Sequence, residues 1–437
     1  MTLNKLLAQT IVFWALLVLI IMYAIDFKLP DSLAISDYLM TFHTAGYIAA
    51  HGKWQFLYPA ITATTFHGAP FDQISHQLLP RMPAWSVSEY MYMPLSAFIF
   101  APYSTLKPEL SLLCWQITSL LAIAAAAYFV LSDGKNTAGK SSVFLTAAAT
   151  LSFLPATLTL WIGQVGLVFG LLPLAAGFHL LHRLPLPAGL IFALLFLKPQ
   201  MLVLAVFLIV CELAQKRAQT LIGMTLGVIA LAHANATVLG PQIFQDWLNC
   251  LKLSDKIFSD PANGVAVHLA TSLPRAVLLT QPVEAHATLK PIVYSIALLF
   301  MTVGLAVVAM LSHKSSPIKD AAIKANLSLI LACLALPLVV PHLFIYDLCV
   351  IAPAFYLLFA SHSESMKTLG NLAVQLRKIF ACYWVCITVY CVCMVTNIAL
   401  AKPLILVAAM TIFYILALIA VVKYLLDRKK IESEATS

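Results

Sequence analysis

Between Leu6 and Ile25 there is no charged side chain, and runs of the same kind recur to the far end of the chain: Ser141–Leu160, Ala218–Leu239, Pro291–Leu311, Ile379–Leu400 and Pro403–Val422. Each is close to the ~20 residues an α-helix needs to cross the hydrocarbon core of a bilayer. In lipid every backbone N–H and C=O must be satisfied internally, so repeated apolar runs of this length are compatible with helices and little else. The composition agrees: 62% of the 437 residues are hydrophobic and 10% are charged, where a soluble domain carries about 25% charged residues. The fold class expected is all-α, a polytopic integral membrane protein of about 10–12 transmembrane helices forming one domain over residues 1–437. The first run is expected to persist as a helix, because no small-x-small cleavage pattern follows it before Asp26.

The formal charge of +8 does not point to nucleic acid. Most Lys and Arg residues fall in short loops and tails: Lys5, Lys135, Lys140, Arg183, Lys216, Arg217, Lys314, Lys319, Lys324, Lys367, Arg377, Lys378 and the stretch from Lys423 to Lys430. Short basic loops stay in the cytoplasm. This leaves two long loops, residues 26–92 and 240–290, on the extracytoplasmic side and both termini in the cytoplasm. Eight of the nine cysteines lie in or at the ends of apolar runs and only Cys250 lies in a long loop, so neither a disulfide framework nor a zinc spacing is present. No metal and no cofactor is expected.

Two apolar stretches are too short to span. Met93–Leu106 runs through Lys107-Pro108 into a full-length run, and Leu186–Leu197 is interrupted by Lys198-Pro199-Gln200. Twelve helical residues reach only about 18 Å, so broken or re-entrant helices are expected. Irregular backbone at membrane depth survives only beside protein or a water-filled cavity, which makes such breaks candidate sites. The topology sends Asp37, Gln164, Lys198, His342 and Asp347 to one face. Each also has a plainer reading: Asp37 as a helix cap or solvated carboxylate, Gln164 as a helix-start polar group, Lys198 as a side chain snorkelling to the interface, His342 and Asp347 as hydrogen-bonding glue between helices.

In chain order these residues stand in recognisable segments: Asp37-Tyr38 with Gly46-Tyr47 and Tyr58-Pro59, then Tyr92-Met93-Pro94-Leu95, Trp161-Ile162-Gly163-Gln164, Leu197-Lys198-Pro199-Gln200 and Pro341-His342 followed by Tyr346-Asp347. Their order and spacing resemble glycosyltransferase family 87, polyprenyl-phosphate-sugar-dependent enzymes of the GT-C fold that include bacterial α-mannosyltransferases. Two positions depart from the family pattern: Met93 stands where a proline is usual, and Gly166 where a polar residue is common. The resemblance implies an enzyme of the bacterial inner membrane. It would transfer mannose or another hexose from a polyprenyl-phosphate donor to a lipid or glycan acceptor, with inversion. Asp37 is then the base, Lys198 and, more weakly, Arg81 hold the donor phosphate, and Tyr92, Gln164, Gln200, His342 and Asp347 orient the reactants. Asp72, Glu89 and Asp347 are the fallback bases. A secondary transporter or lipid-linked saccharide flippase shares the broken helices and the membrane-depth Lys, and a non-catalytic assembly protein is the third alternative.

Overall fold

The computed structural model describes residues 12, 14–17, 19–20, 36–132, 139–260, 263, 267–360, 368–396 and 402–434. The first apolar run lies mostly outside these residues, as do residues 26–35 of the first long loop and the basic residues Lys5, Lys135 and Lys367. The described residues are mostly helical, with no strand among them; an isolated antiparallel bridge joins Ala270 and Phe344.

Six helices are long and apolar enough to cross a membrane: Pro108–Leu131, Gln219–Leu239, Val283–Ser312, Ala321–Val339, Asn371–Met394 and Pro403–Glu434. Their outward faces carry Leu121, Ile229, Leu298, Leu299, Val385, Ile412 and Ile419, all exposed. An aqueous surface does not tolerate an apolar band of this extent, and lipid tails do. The chain is a multi-pass membrane protein. Ala321–Val339 is nearly all buried and lies at the centre, packed on Leu202–Ala214, His286–Ser312 and Pro403–Glu434. Its first turn is capped by Asp320, whose Oδ1 accepts from the Ala322 amide at 2.7 Å. Where hydrophobic drive between helices is absent, close backbone approach replaces it. Pro185–Phe192 meets Gln219–Leu239 in this way, since a Cβ on Gly189 would overlap the Thr220 carbonyl and one on Gly223 the Leu186 carbonyl.

The remaining expected spans are shorter or broken. Ser141–Leu160 is not one straight span: Lys140–Leu151 and Leu154–Trp161 meet at 81°. Pro155 sits in the first turn of the second piece, where its missing N–H costs nothing, while Phe153 is extended. Gly166–Leu180, the apolar stretch that follows Gln164, is also less than a full span. It belongs, with Pro185–Leu197, Pro199–Ala214 and Ile345–Phe359, to the apolar helices of 10–17 residues. The break expected at Lys198 is present: a 3-10 turn, Ala193–Leu197, ends there, and Pro199–Met201 starts a new one.

The two long loops are built from short amphipathic helices and pack against each other. Pro70–Leu78 belongs to the first loop and Gln242–Phe258 to the second. Trp247 Nε1 donates to the Met91 carbonyl at 2.9 Å, and Ile243, Trp247 and Cys250 join Tyr38, Phe42, Tyr90 and Phe100 in one apolar cluster. The first loop is braced internally by Asp72, which is buried and accepts from the Gly68 and Ser88 amides at 2.8 Å each. Asp72 is thereby committed to loop structure, which removes it as a fallback base.

Candidate active site

Four of the broken segments converge beneath these loops. Asp37 precedes a π-helical turn, Tyr38–His43, whose first amide, Tyr38 N–H, donates to the Ile162 carbonyl at 3.0 Å. That bond pins the start of the turn to the Trp161–Gly163 corner. Gly163 makes the corner possible. Its φ is +71°, and a Cβ there would overlap Tyr38 Cβ and lie 3.0 Å from Leu112 Cδ1. The corner delivers Gln164, whose Nε2 donates to Asp37 Oδ2 at 2.8 Å. Its Oε1 accepts from the Tyr92 hydroxyl at 3.2 Å and the Val165 amide at 3.3 Å. Tyr92 is held in turn by its carbonyl, which accepts from Tyr58 OH at 2.6 Å.

Gly163→Ala is expected to destabilise the fold by about 1–3 kcal/mol through the left-handed backbone and the collision together. Gly52→Ala shares a positive φ of +63° but meets nothing within 4 Å, so it should cost less. Thermal unfolding of the two variants in detergent checks the difference, and equal melting points would show that the Gly163 contact is unimportant.

A second polar pair faces this arm. Lys198 Nζ lies 2.5 Å from Asp347 Oδ1, and both side chains are buried. The other Asp347 oxygen accepts from the Phe344 amide at 3.1 Å, and Nζ lies 5.7 Å above the Tyr346 ring. Thr159 fixes that segment by donating to the Tyr346 carbonyl at 2.7 Å. Gly166 faces the pair: a Cβ there would come 2.9 Å from Cys349 Sγ and 3.7 Å from Lys198 Nζ. The glycine leaves room for the Cys349 sulfur beside the pair.

The two arms sense each other electrostatically. Burial raises the Asp37 pKa above the ordinary carboxylate range, and the Gln164 hydrogen bond and the Lys198 charge act against it. The solvated setting expected for Asp37 is therefore a protein-lined one, with the side chain only partly exposed. Burial, then Asp37 and Asp72, push the Glu89 carboxyl up to about 8, so it is neutral at pH 7. A carboxyl raised in the folded state stabilises it most below its unfolded pKa, and this contribution is lost as pH rises from about 4.5 to about 8. Glu89→Gln is expected to flatten the fall in melting temperature across that window. An unchanged pH profile would show that Glu89 is not held neutral.

The remaining expected residues divide. His342 lies near the Lys198 pair; its ring is tilted on Phe344 at 4.5 Å between centroids, and its buried Nδ1 has no hydrogen-bond partner. Burial, with the Arg275 and Lys198 charges, pushes its pKa down to about 3, so the imidazole is neutral. Gln200 sits half-buried in the Pro199–Met201 turn, and no described contact joins it to the group. Arg81 is exposed, and no described contact brings it to the site. The buried guanidinium near the site is Arg275, which the sequence reading passed over. Its signal was available: a lone arginine in Leu273-Pro274-Arg275-Ala276-Val277-Leu278 is an expensive charge in apolar surroundings.

A multi-pass helical membrane protein with a carboxylate, amide and ammonium site at the junction of broken helices and packed loops is the class these features define. The chain belongs to glycosyltransferase family 87, whose profile matches residues 90–341, more than half of its length. The matched stretch includes Tyr92, Gln164, Lys198 and Arg275 and ends one residue before His342. The chain is thus a membrane glycosyltransferase, which sets the transporter and flippase alternative aside. No curated protein and no solved structure matches it.

Proposed function

We propose that this glycosyltransferase moves a hexose, mannose or another, from a polyprenyl-phosphate donor to a hydroxyl of a lipid or glycan acceptor on the extracytoplasmic face of the bacterial inner membrane. The observation that carries the reading is the Asp37 carboxylate held by Gln164 at 2.8 Å with the Lys198 charge acting on it. A base and a cation are the two requirements of a displacement at an anomeric carbon bearing a phosphate. The acceptor oxygen forms its bond to the anomeric carbon as the bond to the phosphate oxygen breaks. The electron pair leaves with the phosphate, the hydroxyl proton passes to Asp37, and one displacement inverts the centre. A phosphate monoester is a good leaving anion, so it needs cationic stabilisation rather than an acid.

Lys198 supplies that charge. An ammonium has three donors; Asp347 takes one and orients the others, so Asp347 acts through Lys198. Tyr92 and Gln164 hold the base, and His342 lines the phosphate side. The basic short loops support placing both termini in the cytoplasm and the packed loops 26–92 and 240–290 outside, within one domain. Nucleotide sugars are made in the cytosol, whereas a lipid-borne sugar is presented at an outer-face site from the bilayer. Right-side-out vesicles supplied with labelled polyprenyl-phosphate hexose and acceptor are expected to form product without permeabilisation, while sealed inside-out vesicles are not. The opposite sidedness would sink the proposal.

A further inference from the structure

Arg275 is 5% exposed and sits on the short Leu273–Leu278 helix of the second long loop. Its Nη1 donates to Ser259 Oγ at 3.1 Å, but its Nε is buried with no hydrogen-bond partner. A buried, unpaired guanidinium N–H is costly, and Asp255, the acid whose charge reaches it, is paired with Lys290 at 2.8 Å. The helix is bound to the segment bearing His342. Thr271 N–H donates to the Leu343 carbonyl at 2.9 Å, and Ser272 Oγ to the Pro341 carbonyl at 3.2 Å. On its other side Phe258, next to Ser259, lies 6.4 Å from the His342 ring. From His342 the chain leads in two residues to Phe344, whose amide holds Asp347 and hence Lys198.

Arg275, His342 and Lys198 thus stand on three segments tied to one another, and the charges of Arg275 and Lys198 both act on the His342 ring. Two of them, through Nε and Nδ1, carry buried nitrogens with no partner. Asp347 is taken by Lys198 and Asp255 by Lys290, so these two nitrogens have no anion of their own. We infer that Arg275 and His342, beside Lys198, form the subsite for the phosphate of the lipid-phosphate donor, resting on the donor class proposed above. Arg275 replaces Arg81 as the arginine of that site. Arginine suits the task because its planar fork donates to two phosphate oxygens at once. Its seat on the second long loop also gives that loop a function: it brings a cation to the donor head.

The test uses the full chain in phosphatidylcholine nanodiscs with farnesyl phosphate as the probe, and farnesol, inorganic phosphate and added phosphatidylglycerol as the other arms. Wild-type protein is expected to bind farnesyl phosphate at least about tenfold more tightly than farnesol, and neither inorganic phosphate nor phosphatidylglycerol should displace it at equal concentration. Loss of a charge-assisted bond corresponds to roughly 10- to 100-fold in affinity, so Arg275→Gln should weaken farnesyl phosphate by that factor and leave farnesol binding unmoved. Unchanged farnesyl phosphate affinity in Arg275→Gln overturns the assignment. If that variant does not fold, Arg275→Lys decides. Lysine keeps the charge but not the fork, and an affinity within about twofold of wild type for farnesyl phosphate would likewise overturn it. Displacement by inorganic phosphate or by phosphatidylglycerol would reassign the subsite to a free ion or a bulk headgroup. Failure of the wild type to bind farnesyl phosphate at all would instead remove the lipid-phosphate donor itself.

Discussion

Purified Asp37→Asn protein is expected to transfer sugar 10²- to 10⁴-fold more slowly than wild type, the usual contribution of a positioned general base, while folding and binding donor normally. The substitution is mild because asparagine retains an oxygen for the Gln164 Nε2 bond at 2.8 Å and removes only the proton acceptor. Asp37→Glu should recover little: one methylene shifts the carboxylate by about an ångström, and misplacement on that scale costs up to 10²-fold. The pH profile gives a second handle. Burial raises the Asp37 pKa, so activity should fall on acidification at a pH above the usual carboxylate range. The Gln164 bond favours the ionised form, so Gln164→Leu should move that limb to still higher pH. Wild-type rates in Asp37→Asn would reduce Asp37 to a structural cap and shift the search to Glu89 or Asp347.

Lys198→Ala carries the largest expected effect on folding. Its ammonium is buried against Asp347 at 2.5 Å, and removing one partner of such a pair leaves an uncompensated charge that costs about 3–5 kcal/mol. Loss of activity in this variant alone would thus confuse stability with donor binding. The double variant Lys198→Met with Asp347→Asn separates them. Asparagine keeps an acceptor for the Phe344 amide, whose bond to Asp347 spans 3.1 Å, and neither member of the pair is left charged and unpaired, so most of the stability should return. Transfer should not return, because the donor phosphate has still lost its ammonium. If the double variant transfers sugar at the wild-type rate, Lys198 has no part in holding the donor. If Lys198→Ala melts where the wild type does, the pair is not closed in solution.

Much of this was legible in the sequence, for physical reasons that also mark where legibility ends. Charge-free runs near the bilayer thickness predict helices directly, and Lys198-Pro199 predicts a break because proline cannot continue a helix and a buried lysine needs a partner. The bend between Leu151 and Leu154 was not legible, since Pro155 also fits the first turn of an ordinary helix and the apolar run continues across it. Asp37, Gln164, Lys198 and Asp347 were legible as polar residues assigned to one face. Their pairing was not, because which carboxylate meets which cation depends on how broken helices fold back. The exposed Arg81 and the buried Arg275 show the same limit: both lie in long loops, and only tertiary packing distinguishes a solvated arginine from an enclosed one.

The most direct measurement is made on the purified protein in nanodiscs with labelled polyprenyl-phosphate hexose and an acceptor, following released polyprenyl phosphate and the anomeric configuration of the product by NMR. One polyprenyl phosphate is expected to be released per sugar transferred, with inversion at the anomeric carbon and no transfer when a nucleotide sugar replaces the lipid donor. A retained configuration, or efficient transfer from the nucleotide sugar, would contradict a single displacement from a lipid donor.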